Sequence, residues 1–146
     1  MSVIMKDIML NPWWRTHRED KLAYWEVKDD LCDLVKPEPP FHKYRRLLDL
    51  IEMHIFDFVM GNMDRHHYET YKYFGNNTFQ LHYDNEREFG KTKHDEISIL
   101  APLYQCCHIS YSTVSRTRKT ERFNTWITRQ RLVSSNFDRT TRVCPR

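Results

Sequence analysis

The chain has 146 residues, with 23 Lys or Arg against 20 Asp or Glu and a formal charge of +3. That length allows one domain with a modest core, and hydrophobic and charged fractions of 40% and 29% exclude a disordered polyelectrolyte. No apolar run nears the ~18 residues of a membrane span. With only three glycines, Gly61, Gly75 and Gly90, no Gly-rich phosphate loop can be written.

In chain order, residues 1–24 read as polar and irregular, with Pro12-Trp13-Trp14 at a packed corner. Tyr24 to Val27 suits a short extended strand, and Asp29 to Val35 a turn or two of helix. Pro37-Glu38-Pro39-Pro40 predicts a rigid extended connector. The strongest helix signal begins near Lys43. Leu47, Leu48, Ile51, Ile55, Phe58 and Val59 recur at helical spacing, and Leu50, Met53 and Phe56 widen the stripe toward burial on more than one side. Gly61-Asn62 supplies residues that tolerate a left-handed cap, and the chain then turns through Met63 to Tyr68. Phe79 to Tyr83 alternates as a strand that ends at Asp84-Asn85. Residues 72–83 are therefore expected to form a hairpin with Asn76-Asn77 at its tip. A second helical region is expected from Asp95 toward Cys107, broken near Pro102.

Charge is distributed unevenly. Residues 111–146 hold nine Arg or Lys and two acids, a local +7, whereas residues 1–110 hold fourteen bases and eighteen acids, a local −4. Such a tail is a solvated end or an anion binder. It lacks the interleaved aromatics of a stacking platform, so no nucleic-acid partner is expected.

The cysteines are Cys32, the adjacent Cys106 and Cys107, and Cys144. No C-x-x-C occurs, which disfavours a zinc ribbon or a thioredoxin-like site. Neighbouring cysteines do not suit each other as disulfide partners. The even count fits Cys32 and Cys144 each taking one of the pair, in either connectivity, or four reduced thiols. Asn76-Asn77-Thr78 is a glycosylation sequon. Together these features lean toward an oxidising compartment. Met1 to Asn11 offers no apolar core of signal length and no small-residue cleavage site, so either the protein is cytosolic or the chain lacks the beginning of a longer protein, and the second is the expectation.

Two acids frame the chemistry. Asp64 follows the strong helix in a loop, and Asp84 stands 20 residues on, at a strand end. Carboxylates so placed suit phosphoryl transfer, one accepting the hydroxyl proton and the other holding the metal on the phosphates. Glu69, five residues after Asp64, adds a hard oxygen donor suited to Mg²⁺ or Mn²⁺. The same acids also serve as turn and cap residues in many loops. His66-His67 with His82, His94 and the cysteine pair is the zinc alternative. It is disfavoured because adjacent histidines seldom share one metal.

Several segments carry a resemblance, in order. They are Asn-Pro-Trp at 11–13, Trp-Glu-Val at 25–27, Arg-Leu-Leu-Asp-Leu-Ile at 46–51, Ile-Phe-Asp-Phe at 55–58 and Gly-Asn-Met-Asp-Arg-His-His-Tyr-Glu-Thr at 61–70. Phe-Gly-Asn at 74–76, Asp-Asn at 84–85, Phe-Gly at 89–90, His-Asp-Glu at 94–96 and Ser-Ile-Leu-Ala-Pro-Leu-Tyr-Gln-Cys-Cys at 98–107 continue it. Over residues 11–113 the chain resembles the C-terminal kinase region of the "family with sequence similarity 20" secretory kinases, the group of the Golgi casein kinase.

The resemblance implies an α+β, mainly α fold: the C-terminal lobe of an atypical protein kinase, helices plus a catalytic-loop β-hairpin, with the N-terminal lobe absent. It implies a domain at 1–113 and a divergent, irregular basic tail at 114–146. It implies ATP with Mn²⁺ or Mg²⁺, Asp64 as catalytic base, Asp84 with Glu69 as metal and cofactor ligands, and a glycosylated Asn76. Disulfides would involve Cys32, Cys106, Cys107 and Cys144, one of them returning to Cys32. The location would be the Golgi lumen or outside the cell. The partners would be secreted proteins phosphorylated in a Ser-x-Glu context, or a kinase or pseudokinase relative. Lys91 to Glu96 is similar to the casein-kinase and pseudokinase members rather than to the xylose-phosphorylating one.

Three departures from the family pattern stand out. The nucleotide-anchoring Lys and its Glu partner belong to the N-terminal lobe, so the isolated chain is expected to be inactive. Glu86 and Glu88 stand where the family has small residues, and after about Thr113 the resemblance fades.

Overall fold

The computed structural model describes residues 5–15, 18, 20–43, 45–83, 96–117, 119–121 and 140–142. Strand β1 (Lys6–Leu10) leads through an indole-rich corner to helices α1 (Tyr24–Val27) and α2 (Leu31–Val35), and then to the long α3 (Arg45–Met60). Strand β2 (His67–Tyr71), a 3₁₀ stretch at Lys72–Asn77 and strand β3 (Gln80–Leu81) follow. A second 3₁₀ turn at Ile97–Leu100 runs into α4 (Ala101–Cys106), β4 (His108–Ser110) and α5 (Tyr111–Thr117), and β5 (Thr140–Arg142) pairs with β4.

The core forms around α3, where the wide apolar stripe had placed it. Leu47, Leu50, Ile51, Met53, Ile55 and Phe58 are buried in one cluster with Ile99, Leu100, Leu103 and Ile109. Each such side chain contributes roughly 1.5–3 kcal/mol by leaving water. The helix ends in a Schellman motif: the Asn62 amide donates to the Asp57 carbonyl at 2.8 Å and the Gly61 amide to the Phe58 carbonyl at 3.2 Å. Gly61 supplies the left-handed backbone, at φ +76°.

The sheet runs β1-β2-β3, antiparallel throughout. Its register sets Leu10 opposite His67, Ile8 opposite Glu69 and Lys6 opposite Tyr71. Alternation sends Tyr68 and Thr70 into the core. Glu69 and Ile8 share the other face, and Ile8 is 69% exposed.

Several local expectations change. Residues 6–10 are a strand instead of irregular chain, because their partner lies about 60 residues later. Tyr24–Val27 is helical: the Glu26 carboxylate accepts the Ala23 amide at 2.6 Å and the Lys28 amide closes on the Tyr24 carbonyl. The segment 37–40 turns instead of extending, with the amides of Phe41 and His42 both donating to the Glu38 carbonyl. The hairpin's first strand is 67–71, not 72 onward, since β1 holds it. Pro102 sits in the first turn of α4 and starts that helix instead of breaking it, as its missing N–H is not needed there.

A disulfide joins Cys32 of α2 to Cys106 of α4, across 74 residues of chain. Cys107 is also disulfide-bonded, while Cys144 lies outside the described residues. Within the segment expected to be irregular, α5 continues to Thr117 and β5 lies against β4. No helix among the described residues is long and apolar enough to cross a membrane.

Candidate active site

Asp64 lies in the loop between the α3 cap and β2. Its amide donates to Asn62 Oδ1 at 3.0 Å and its carbonyl accepts the His66 amide at 2.9 Å. His66 Nε2 lies 2.7 Å from Asp64 Oδ1, which orients the carboxylate, and the His66 ring leans on Trp14 at 5.4 Å. The Asp64 side chain remains 22% exposed, so an incoming hydroxyl can reach it. His66 thus packs and hydrogen-bonds within the loop. Among the described residues no three His, Cys, Asp or Glu form a metal-holding cluster.

Arg65 points the opposite way, into the molecule. Its guanidinium forks onto the fully buried Asp57 of α3, with Nε to Oδ2 at 3.0 Å and Nη2 to Oδ1 at 2.7 Å. Its Nη1 donates to the Tyr83 carbonyl. Tyr83 is also gripped from β1, where the Lys6 ammonium donates to its hydroxyl and lies 4.0 Å from its ring centroid. Lys6 in turn pairs with Glu69 at 3.0 Å. Tyr83 is therefore held both by the neighbour of Asp64 and by the ion-pair partner of Glu69.

Asp84, the residue after Tyr83, lies outside the described residues, as do Glu86, Glu88 and His94. Glu69 stands in the sheet's central strand with Lys6 as its cation. Asn76 falls in the 3₁₀ stretch after β2. Thr78, the third residue of its sequon, is buried: its hydroxyl takes the Tyr71 amide at 2.9 Å and donates to the Phe79 carbonyl at 3.2 Å. Sequence reasoning missed Asp57, Arg65, Asn11 and Lys6. The usable signal was Asp57, a charge set inside an apolar stripe, which demands a buried partner.

Residues 2–138 match the family described as Golgi casein kinase, C-terminal, Fam20. The chain belongs to this family. The match extends past Thr113, into the basic segment. The human extracellular serine/threonine protein kinase FAM20C is 53% identical over 116 residues, 80% of this chain and 20% of that protein. The human pseudokinase FAM20A is 51% identical over 104 residues, 71% of this chain and 19% of that protein. A crystal structure of the Golgi casein kinase with Mn/ADP bound superposes with a TM-score of 0.70 at 33% identity, covering 80% of this chain and 29% of that one. The chain thus spans about a fifth of the length of these curated relatives. The fold is that of the Fam20 kinases' C-terminal part, and the family joins active kinases with a pseudokinase.

Proposed function

We propose that this chain is part of the catalytic lobe of a secretory-pathway Ser/Thr protein kinase, one that moves the γ-phosphate of ATP onto secreted proteins at Ser-x-Glu sites. Its place would be the Golgi lumen or the extracellular space. Asp64 accepts the proton of the substrate hydroxyl, and His66 holds that carboxylate in position. Asp84 and Glu69 are the residues that would hold Mn²⁺ or Mg²⁺, and the donor set fits, since carboxylate oxygens suit hard cations. The metal, when bound with ATP, neutralises phosphate charge. Glu69 would meet it in exchange for Lys6.

The observation that carries this reading is the Arg65 bridge, which ties the loop of Asp64 to the residue before Asp84. A second reading, a pseudokinase that binds and activates a kinase relative, is supported by the 51% identity to FAM20A, beside 53% to the kinase FAM20C. A xylose kinase of the same family is the third.

The test is Mn²⁺-dependent phosphorylation of casein by the isolated chain and by the chain joined to the preceding part of human FAM20C. The isolated chain should be silent, because nucleotide must be clamped from both lobes. The joined chain should transfer phosphate and lose roughly 10²–10⁴-fold on Asp64→Ala. Undiminished transfer by the Asp64→Ala protein would refute the assignment. Binding to an active relative without any transfer would select the pseudokinase reading.

A further inference from the structure

We infer that Asn11 is the positioning residue of the Asp64 loop, a role that as catalysis rests on the proposed function. Asn11 is wholly buried, directly beyond β1, and 54 residues before Arg65. It meets the loop twice. Its amide donates to the His66 carbonyl at 3.0 Å, extending the β1–β2 ladder by one step, and its Nδ2 donates to the Arg65 carbonyl at 2.7 Å. The two carbonyls that follow Asp64 are therefore held by one residue.

Asn11 is itself clamped. Its Oδ1 accepts the Trp13 amide at 3.0 Å, a side-chain turn across Pro12. Trp13 is buried, and its indole donates to Gln105 Oε1 at 2.7 Å. Behind Asn11 stands His54 of α3, with Nε2 3.1 Å from Oδ1 and Nδ1 2.8 Å from the Ile99 carbonyl. The amide orientation follows from these contacts, because the end facing a carbonyl must carry the hydrogens and the end facing an amide must be the oxygen. A buried carbonyl deprived of its donor is left desolvated with nothing to offset that loss. The loop, joined to α3 through a glycine cap, would move to recover a partner.

Asn11→Asp separates loop positioning from general packing. It keeps the acceptor for Trp13 and replaces the donor that faces Arg65. Amide hydrogen exchange of the 146-residue chain reads the result without any catalysis. The expected outcome is at least tenfold faster exchange across residues 62–67, with 47–58 within twofold of wild type. An unchanged loop, or equal acceleration of both segments, would overturn the inference. Should that variant not fold, a through-hydrogen-bond NMR coupling from Asn11 Nδ2 to the Arg65 carbonyl carbon in the wild type decides: its presence supports the contact and its absence removes it. In the joined chain, Asn11→Asp should lower kcat at least tenfold and leave KM for ATP unchanged, whereas a change confined to KM would contradict positioning. A wild-type joined chain that transfers no phosphate counts against the proposed function, and the exchange data still rule on Asn11.

Discussion

The guanidinium of Arg65 and the carboxylate of Asp57 form a bidentate pair sealed from solvent, joining the loop that holds Asp64 to the last turns of α3. Removing one partner strands a charge in the interior, so Asp57→Ala is expected to cost roughly 3–5 kcal/mol. Replacing both, as in Asp57→Leu with Arg65→Met, should cost less than the single change, since no bare charge remains. Urea unfolding of the three proteins measures this. A double variant less stable than Asp57→Ala would show that the Tyr83 contact, not the buried charge, dominates.

Gly61 lies in the left-handed region with open space where a Cβ would go. The strain of any side chain there is thus backbone strain alone. Gly61→Ala should destabilise by about 1–2 kcal/mol, and Gly61→Asn by less, because Asn tolerates that conformation. Thermal melting of both variants gives the ranking. Equal melting temperatures for wild type and Gly61→Ala would mean that the cap does not hold in solution.

The Cys32–Cys106 bridge closes a long loop, pinning α2 to the last residue of α4. For a loop of 74 residues the chain-entropy relation gives roughly 4 kcal/mol. Replacing both cysteines by Ala should lower the unfolding free energy by about that amount and leave the packing of α3 against α4 in place. Denaturant titration under non-reducing conditions checks the magnitude. No loss at all would mean that the unfolded chain is already compact around this contact.

Helix α3 was legible because its apolar positions recur within one window, and its end because Gly61 suits one conformation. The Asp64 loop was legible from its run of residues. β1 was not: Lys6 to Leu10 alternates weakly, and what makes it a strand is a ladder to residues 67–71. The same distance hid Asn11 and Lys6, whose partners lie far along the chain. Tyr24–Val27 misled in the other direction, since its aromatic and β-branched residues favour a strand while one side-chain cap on Ala23 decides for a helical turn.

His54 makes stability depend on pH with a definite sign. Burial pushes its imidazole below the usual value, with Asp57 opposing that shift. Its Nδ1 lies 2.8 Å from the Ile99 carbonyl and its Nε2 3.1 Å from Asn11 Oδ1, and the neutral ring has a single N–H to give to these two oxygens. In the unfolded chain the same ring takes up a second proton near pH 6.5. Below that pH the unfolded state binds more protons than the folded one, so stability rises with pH there. The contribution is complete above about pH 6.5 and is lost as pH falls through and below it, by at most about 1.4 kcal/mol per unit. His54→Asn keeps a donor for the Ile99 carbonyl but does not titrate. Urea unfolding at pH 7.5, 6.5 and 5.5 should therefore show wild type losing stability faster than the variant. Parallel losses in the two proteins would mean that His54 is charged in the folded state, donating to both oxygens, with Asp57 as its counter-ion.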